Sequence, residues 1–431
     1  METIQKGIFS LKQIFKENWK NFLALHDTAI MWYMAYNVWK VMNCREPDGL
    51  GFATFACPDH PGEIQTVPRS CKSRFCSVCA KIQSDKWVTD INQSFPNCPY
   101  LHVTFTVPSQ FRTLLFEKRE LLNAVFTACT ETLVSFCKEQ GFLPAITAVL
   151  HTFGSDLKRH VHIHVIISAG GLKLTGKAER YSRYIARKKK DPRAKMKKVS
   201  VLTENPEWIS WTKFPYQMLQ KRYQAILIKH LKALIQKNIS SDNPDKDLQM
   251  FSSPILCKAF FDDLKEEYKN GFYVHISDER TELRQTAAYI GRYARRPPIS
   301  ELRIKDYTGD SITYEFKDYR NNASKVRHTL ETTRFIKRLV RHIPPHYFNV
   351  IRHYGLSACR VRSIYTKITD KLLGKLPAVK AVHNWRERQT IFRGEDPLCC
   401  RICQKTMIPV ANYLPNPLSA IKSRLQFYFP S

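Results

Sequence analysis

The stretch HVHIHVIIS places His160, His162 and His164 at alternate positions. Successive side chains of a β-strand point to opposite faces of the sheet. In a strand these three imidazoles therefore lie on one face, and the intervening valine and isoleucine side chains on the other. Imidazoles that point the same way can form a metal site. The ordinary alternative is a half-exposed strand whose histidines are polar surface residues.

The strand-like run that precedes this stretch, residues 145–153, could add a further histidine to the group. If that run is the antiparallel neighbour and the chain turns at 156–157, Phe153 pairs with His160 and His151 lies directly opposite His162. Directly opposed residues have Cβ atoms about 5 Å apart. Three imidazoles could then share one metal ion. The predicted ligands are His151, His162 and His164.

A second group with chemical potential lies in the segment TELRQTAAYIGRYARRPP. Tyr289 and Tyr293 are four residues apart. On the predicted helix, which begins near Glu279 and ends at Pro297, both hydroxyl groups project from one face. Such a pair more often packs in a core. Three nearby cations favour a surface that binds phosphate, although cations also stabilise a helix C-terminus. These cations are Arg292, Arg295 and Arg296.

The segment from Cys44 to Cys79 has the spacing of a zinc site. A CxxH pair and a CxxC pair are separated by fifteen residues, at which two tight turns can close a tetrahedral site without an open position. The predicted ligands are Cys57, His60, Cys76 and Cys79. Cys71 is an alternative to His60 as the fourth ligand, and Cys44 is left over. Lys72 and Arg74 lie inside the segment, where they could face phosphate groups.

The cysteines also bear on the cellular compartment. The chain begins without a secretion signal, so its 13 cysteines are expected in a reducing compartment, where clustered thiols more often bind metal than form disulfides. Near the C-terminus, Cys400 and Cys403 form another CxxC pair beside Cys399. Because no second pair is close in sequence, this pair is only a weak indication of a second metal site.

The composition points to a polyanionic partner. Lysine and arginine total 68 against 38 acidic residues, which gives a formal net charge of +30. Nucleic acid is the leading candidate, and a generally basic or membrane-associated surface is the alternative. The basic stretch at 173–199 could be an arm that contacts phosphates or an exposed linker. No apolar run is long enough to span a membrane.

Hydrophobic periodicity predicts both helices and strands. Helices are predicted at about 110–140 and 215–237, and at the start of the chain. There, the apolar residues at helical spacing are Ile8, Leu11, Phe15, Trp19 and Phe22. Strands are predicted at 101–108, 145–153 and 160–168.

Taken together, these residues resemble the HUH endonucleases, in which two histidines flank one hydrophobic residue and a tyrosine further along the chain attacks DNA. Four blocks, in order, look like those of the two-tyrosine transposases of insertion sequence family ninety-one. They are SCKSRFCSVC at 70–79, HIHVIISAGGL at 162–172, YIGRYARRPPIS at 289–300 and HIPPHYFNVIRHYGL at 342–356. Two features depart from the family pattern. His60 stands where a cysteine is usual, and the basic stretch 173–199 is longer than expected.

The resemblance implies an α+β protein of three parts. Residues 1–95 would form a helical and zinc-binding domain that binds DNA. Residues 96–300 would form a nuclease domain, with a ferredoxin-like antiparallel sheet flanked by helices and a basic insertion at about 173–199. Residues 301–431 would form a mixed C-terminal region that contains a candidate second small metal site.

The resemblance also implies the chemistry. His162 and His164, with His151, would hold Mg²⁺ or Mn²⁺ against the scissile phosphate, while Zn²⁺ would be structural. Tyr289 or Tyr293 would attack and leave a 5′-phosphotyrosine. The residues that contact DNA would be Lys72, Arg74, Arg292, Arg295 and Arg296.

The implied biological role is transposition by a rolling-circle-like route. The partner would be single-stranded DNA at the ends of the element and at its target. The protein would work in a bacterial cytoplasm at the nucleoid, and a host helicase is a candidate partner.

Three other functions fit parts of the pattern. A plasmid or phage replication initiator or a conjugative relaxase would use the same chemistry for another biological outcome. A zinc-containing regulator would bind DNA without cutting it. A metal-dependent hydrolase would use activated water. The regulator and the hydrolase would form no covalent bond between tyrosine and DNA.

Overall fold

The structure is a computed structural model that describes residues 8–26, 30–176, 188, 191, 201–211, 213–239, 251, 253–277, 297–318, 321–376 and 384–415. Most of the basic stretch 173–199 lies outside the described residues. The helix predicted from Glu279 also lies outside them. The predicted residues that fall there are Tyr289, Tyr293, Arg292, Arg295 and Arg296.

Among the described residues the chain forms helices and strands in alternating groups. The helices are α1 Leu11–His26, α2 Trp32–Met42, α3 Pro47–Leu50, α4 Ser77–Ser94, α5 Ser109–Glu117, α6 Leu122–Glu139, α7 Tyr216–Ile239, α8 Pro254–Glu267, α9 Thr332–Val340, α10 Arg362–Leu373 and α11 Trp385–Arg393. The strands are β1 Phe52–Ala56, β2 Ile64–Pro68, β3 Tyr100–Thr106, β4 Phe142–Phe153, β5 Arg159–Lys173, β6 Trp208–Ser210, β7 Val274–Ile276, β8 Ile304–Tyr307, β9 Ser311–Asp318, β10 Ser324–Glu331, β11 Ile351–Gly355 and β12 Ile408–Tyr413. The α+β class is confirmed.

The largest sheet is antiparallel and has the strand order β11-β4-β5-β3-β7, with β6 added beside β5. Its first face is covered by α5, α6, α7 and α8, which form the main hydrophobic core. Val161, Ile163 and Val165 of β5 are fully buried in this core. Each such side chain contributes roughly 1.5–3 kcal/mol when it leaves water. The predicted apolar face of the histidine strand is therefore confirmed.

Among the described residues, α4 and α10 pack on one end of the second face of this sheet. At one end of β5, Ile166 packs with Trp87 and Ile91 of α4, and Tyr365 of α10 lies against the same cluster. The even-numbered residues of β5 share this face because side chains alternate along a strand. The histidines thus continue, along the same face, beyond the area where α4 and α10 supply apolar cover.

The hairpin between β4 and β5 has the predicted register at its centre. His151 lies opposite His162, as expected, and Val149 lies opposite His164. Towards the turn the register shifts, so that Phe153 pairs with Arg159 and not with His160. The irregularity lies between His151 and Phe153, where one strand gains a residue, as in a β-bulge.

Two glycines allow short strands to join this sheet. Gly355 of β11 has a φ of +61°, and a Cβ there would lie 1.9 Å from the carbonyl oxygen of Pro144. Gly170 of β5 has a φ of +136°, and its Cβ would lie 2.2 Å from the carbonyl oxygen of Ile209. Only glycine tolerates both the positive φ and the close approach.

The predicted helices agree with the structure except at their boundaries. Leu11, Phe15, Trp19 and Phe22 form the buried stripe of α1, whereas Ile8 precedes the helix and is 89% exposed. The pattern at 110–140 is divided into α5 and α6 by a short turn of 3₁₀ helix at Arg119–Leu121. Within the described residues, no helix combines the length and apolar composition needed to cross a membrane.

A second hydrophobic cluster joins distant parts of the chain. It contains α1 and α2, the cysteines at 44 and 71–79, the sheet β10-β9-β8, and α9. Tyr314 and Phe335 are fully buried in it. A third sheet, in the order β12-β1-β2, pairs a strand near the C-terminus with the N-terminal hairpin. Residues from the first and last predicted domains are thus in contact.

Candidate metal centres

Three histidines converge on the second face of the large sheet, beyond the area that α4 and α10 cover. His151 comes from β4, and His162 and His164 come from β5. One ring nitrogen of each lies within 4.8 Å of one ring nitrogen of each of the others. The ring centroids of His151 and His164 are 4.4 Å apart, and those of His162 and His164 are 4.9 Å apart. The structure thus brings together the three residues that the sequence singled out.

The histidine environment favours uncharged rings. Burial lowers the pKa of His162 to about 3 and the pKa of His164 to about 2, and it holds the pKa of His151 well below its usual range. All three imidazoles are therefore neutral near pH 7. Neutral imidazole is the form that coordinates a metal ion.

Neighbouring groups orient two of these rings. The Nδ1–H of His162 can donate to the backbone oxygen of His160 at 3.0 Å, which leaves Nε2 as the ligand atom. His102 of β3 places its Nε2 2.7 Å from Nδ1 of His164, and the Thr104 hydroxyl is 3.3 Å from the same Nδ1. Contacts of this kind fix the tautomer and angle of a metal-binding histidine. Sequence reasoning missed His102, although its alternation with Thr104 in LHVTFT was a usable signal.

The end of this hairpin is anchored by another histidine that the sequence analysis gave no role. His342 follows α9 and is 2% exposed. Its Nε2 lies 3.3 Å from the backbone oxygen of Leu157 in the turn, and its Nδ1 lies 3.1 Å from the hydroxyl of Thr152. Donation to the carbonyl makes Nδ1 the acceptor for the threonine hydroxyl. His342 thereby links α9 to the hairpin that carries the histidine cluster.

Four cysteines form a closed cluster in the N-terminal part. The Sγ atoms of Cys44 and Cys79 are 3.7 Å apart, those of Cys71 and Cys79 are 3.6 Å apart, and those of Cys76 and Cys44 are 3.8 Å apart. A tetrahedron with Zn–S bonds of about 2.3 Å has edges of about 3.8 Å. Disulfides, with S–S bonds of about 2.05 Å, are excluded by these distances. The four sulfurs therefore fit Zn²⁺ as a structural site.

Local structure explains how these cysteines meet. Cys76 is the N-cap residue of α4, so Cys79 lies in its first turn. The backbone N–H of Arg45 donates to the oxygen of Arg69, which brings Cys44 beside Cys71. The backbone N–H of Cys71 points to the sulfur of Cys44 at 3.3 Å. A hydrogen bond from the Cys71 thiol is the main cause that lowers the pKa of Cys44 to about 7.

A second cluster contains Cys57, His60, Cys400 and Cys403. The Sγ atoms of Cys57 and Cys403 are 3.4 Å apart. Nδ1 of His60 lies 3.7 Å from Sγ of Cys57 and 3.9 Å from Sγ of Cys400. The CxxC pair near the C-terminus thus forms one cluster with the CxxH pair of the N-terminal hairpin.

The single zinc site predicted from the spacing is wrong in its grouping. Cys57 and His60 do not share a cluster with Cys76 and Cys79. Instead, Cys44 and Cys71 complete the cluster that contains Cys76 and Cys79. The hairpin of β1 and β2 explains the separation, since Ala56 pairs with Ile64 at one end and Phe52 with Pro68 at the other. A five-residue strand spans about 15 Å. The hairpin turn therefore lies far from the segment that leads to residue 71.

The two basic residues predicted within the cysteine segment differ in position. Lys72 is exposed and has a φ of +51°, with Gln83 donating a hydrogen bond to its backbone oxygen. Arg74 is half-buried near the histidines. Burial is the largest cause that lowers the pKa of His151 and of His342, and the positive charge of Arg74 is a smaller one. Arg74 therefore adds positive potential beside the histidine cluster.

A further basic surface was missed by the sequence analysis. Helix α9 buries Phe335, Ile336 and Leu339 and presents cations on its other side. These cations line a cavity of about 450 Å³ together with His26, Glu331 and Thr333. They are Arg334, Lys337, Arg338 and Arg341. Their spacing of three and four residues, set against the buried positions, was the available signal.

Comparison with known proteins gives a direct assignment. Residues 145–363, more than half of the chain, match the family model described as "Putative transposase". The chain belongs to this transposase family. Residues 14–107 match a second model, described as "Transposase zinc-binding domain" of IS91 type. The transposase match includes all three clustered histidines, and the zinc-domain match includes the four-cysteine cluster.

Two relatives that are named as transposases match this chain along most of their length. The "Transposase for insertion sequence element IS801" of Pseudomonas savastanoi pv. phaseolicola is 27% identical over 366 residues, which cover 84% of this chain and 80% of the relative. The "Putative transposase y4qJ" of Sinorhizobium fredii is 26% identical over 367 residues, which cover 83% of each chain. No solved structure gives a significant match. The expected IS91-like transposase with an N-terminal zinc domain is confirmed.

Proposed function

We propose that this transposase cuts and rejoins single-stranded DNA through a covalent tyrosine intermediate, and that it mobilises an insertion sequence by a rolling-circle-like route in the bacterial cytoplasm. The observation that carries the proposal is the convergence of three neutral imidazoles on one face of the large sheet. His162 and His164 flank Ile163, as the HUH pattern requires, and His151 lies opposite His162 on the neighbouring strand. The antiparallel sheet covered by α5 to α8 would be the nuclease core, of ferredoxin-like type.

His151, His162 and His164 fit a divalent metal ion because three ring nitrogens converge and each ring is neutral. Such an ion, when bound, withdraws charge from a phosphate group and orients it for attack. An all-imidazole set is softer than Mg²⁺ prefers, so Mn²⁺ should support activity better. His102 holds the ring of His164 at the required angle.

In the proposed reaction the phenol oxygen of Tyr289 or Tyr293 attacks the phosphorus atom and gives up its proton to solvent. The P–O3′ bond breaks, and the leaving oxygen takes up a proton to become a free 3′-hydroxyl. The new phosphotyrosine bond retains the energy of the phosphodiester, so the strand can be resealed without ATP. The second tyrosine allows a second cleavage while the first link persists.

The DNA strand would pass along positive surfaces next to the histidines. Arg74 lies near His151, and α9 is tied to the histidine hairpin through His342. Basic side chains neutralise the phosphate backbone and release counterions. The proposed DNA-contacting residues are Lys72, Arg74, Arg292, Arg295, Arg296, Arg334 and Lys337.

The covalent intermediate gives the decisive test. Purified protein with Mn²⁺ is incubated with end-labelled single-stranded oligonucleotides that span the element's ends, and adducts that survive denaturation are resolved on a gel. We expect adducts with the native protein and none with Tyr289→Phe combined with Tyr293→Phe, because no phenol oxygen remains to attack. Each single variant should retain one of the two cleavages. Tyr347→Phe, at a tyrosine that is 91% exposed, is the matched control.

The rival functions give other results in the same assay. Cleavage without any adduct would identify a hydrolase that activates water. Binding without cleavage on authentic ends would identify a DNA-binding regulator. Adducts that persist in the double tyrosine variant would assign the nucleophile elsewhere.

The basic face of α9 gives a prediction about affinity. For single-stranded DNA, each neutralised phosphate contributes about 0.7 to the slope of log affinity against log salt concentration. Replacing Arg334 and Lys337 together with glutamine should therefore reduce that slope by about 1.4. Fluorescence anisotropy with a labelled oligonucleotide, measured over a series of KCl concentrations, gives the slope.

A matched pair of lysines serves as the control for this measurement. Lys265 and Lys269 are paired with Asp262 and Glu266 at 3.4 Å and 2.6 Å, so their charge is already balanced. Replacing both with glutamine should leave the slope unchanged. An equal loss of slope in the two double variants would show that α9 has no special role.

A further inference from the structure

The sheet β12-β1-β2 has too small a core to hold itself together. Its hydrophobic cluster consists of the buried residues Cys57, Cys400 and Met407, with Phe55 and Cys403 packed against them. All residues of β12 are exposed. Small folding units with little buried apolar surface usually need disulfides or a metal ion to be stable. Two of the three buried side chains in this cluster are themselves potential metal ligands.

Two tight turns present the potential ligands. In the first turn, the backbone N–H of Cys57 donates to the oxygen of Glu63, and that of Glu63 donates to the oxygen of His60. In the second, the N–H of Cys400 donates to the oxygen of Lys405, and Gln404 has a φ of +59°. Each turn thus resembles the knuckle that holds two zinc ligands with two residues between them.

The distances between the donor atoms match a tetrahedral zinc ion. With Zn–S bonds of about 2.3 Å and Zn–N bonds of about 2.0 Å, the edges of the tetrahedron are about 3.5–3.8 Å. The measured edges are 3.4, 3.7 and 3.9 Å. Sulfurs 3.4 Å apart are also too far apart for a disulfide. Three thiols and one imidazole would leave no open position.

We propose that Cys57, His60, Cys400 and Cys403 bind a second structural zinc ion, which fastens the C-terminal segment 398–413 to the N-terminal hairpin. Neither family match includes Cys400 or Cys403, because the matches end at residues 107 and 363. The site joins residues 340 and 346 positions apart. An ion pair of 2.6 Å between Lys405 and Asp59 borders it. The N-terminal zinc domain is thus completed by the end of the chain.

Zinc stoichiometry tests the proposal without reference to DNA cleavage. Purified full-length protein should contain two zinc ions per chain by mass spectrometry of the metal. Cys400→Ser should contain one, because a tetrahedral site that loses a thiolate binds zinc weakly. Cys399→Ser is the matched control and should contain two, since its thiol points instead to the backbone oxygen of Gln404 at 3.0 Å. A single zinc ion in the native protein would overturn the proposal.

Limited digestion with trypsin tests the fastening itself. In the native protein the bonds after Arg401 and Lys405 should resist cleavage, and in Cys400→Ser both should be cut at least tenfold faster, as measured by mass spectrometry of the fragments. Cys403→His keeps four ligands and should retain both zinc content and resistance to trypsin, which separates loss of a ligand from the effect of a substitution in this turn. Equal zinc content and equal cleavage in Cys400→Ser and the native protein would also overturn the proposal.

Discussion

Replacement of Cys44 with serine is expected to remove one zinc ion and to destabilise the N-terminal part of the protein. Cys44, Cys71, Cys76 and Cys79 are all buried, and they lie in the same cluster as α1, α2, β8 to β10 and α9. A structural zinc ion contributes on the order of 10 kcal/mol to the folding of its domain. Loss of half of that would lower the midpoint of thermal unfolding by about 10 °C or more.

Calorimetry together with zinc content measures this effect. Cys129→Ala is the matched control, since Cys129 is fully buried in the main core and belongs to neither cysteine cluster. That change should leave the zinc content unchanged and cost only the small amount expected for a lost sulfur atom. A Cys44→Ser protein that retains its zinc and its unfolding midpoint would remove Cys44 from the ligand set.

The histidine hairpin could be predicted because its determinants are local. Alternation along β5 sets which residues share a face, and a tight turn at a known place sets the register of β4. The register held at His151 and His162. It failed beside the turn, where the pairing shifts between His151 and Phe153, and a second irregularity lies between Pro144 and Ile146. Such irregularities leave no trace in the alternation of residue types.

The cysteine pairs could not be assigned to their sites from spacing because the deciding contacts are distant in sequence. CxxH and CxxC motifs each report one half of a site, and any two halves can in principle combine. Short β-strands separate the halves that are neighbours in sequence. Strand β12 brings Cys400 and Cys403 to residues that are 340 and 346 positions away. The ligand types were therefore predictable, whereas the grouping required the fold.

The limit of the cover that α4 and α10 give to the large sheet's second face follows from composition in a similar way. Strand β5 presents Ile166 where α4 and α10 cover it and His164 where they do not. Apolar and polar residues on one face of a single strand mark the boundary of that cover. The residue types along β5 show this boundary. The helices that create it could not be assigned from the sequence, because α4 precedes the strands of the sheet in the chain and α10 follows them.

Replacement of His164 with alanine is expected to weaken Mn²⁺ binding by more than about 100-fold, since even the loss of a residue that only orients a ligand costs about 10–100-fold. His164 is within 4.8 Å of both other potential ligand nitrogens, so its loss leaves only two. Covalent DNA adducts should fall in parallel. Electron paramagnetic resonance of free Mn²⁺ measures the affinity, and the gel assay measures the adduct.

Variants at two further histidines separate the loss of a metal ligand from a general effect of removing a histidine from this sheet. His102→Ala should weaken Mn²⁺ binding by about 10–100-fold, because His102 only holds His164 in place. His353→Ala should leave the Mn²⁺ affinity unchanged, because His353 lies on the edge strand β11 and contacts Thr147. The unfolding midpoint of each variant is measured as well, because truncation of a buried ring also costs stability and a loss of Mn²⁺ binding must be separated from a loss of folding. Equal Mn²⁺ affinity in all three variants would mean that the histidines do not form the metal site, and the proposed nuclease would lose its main support.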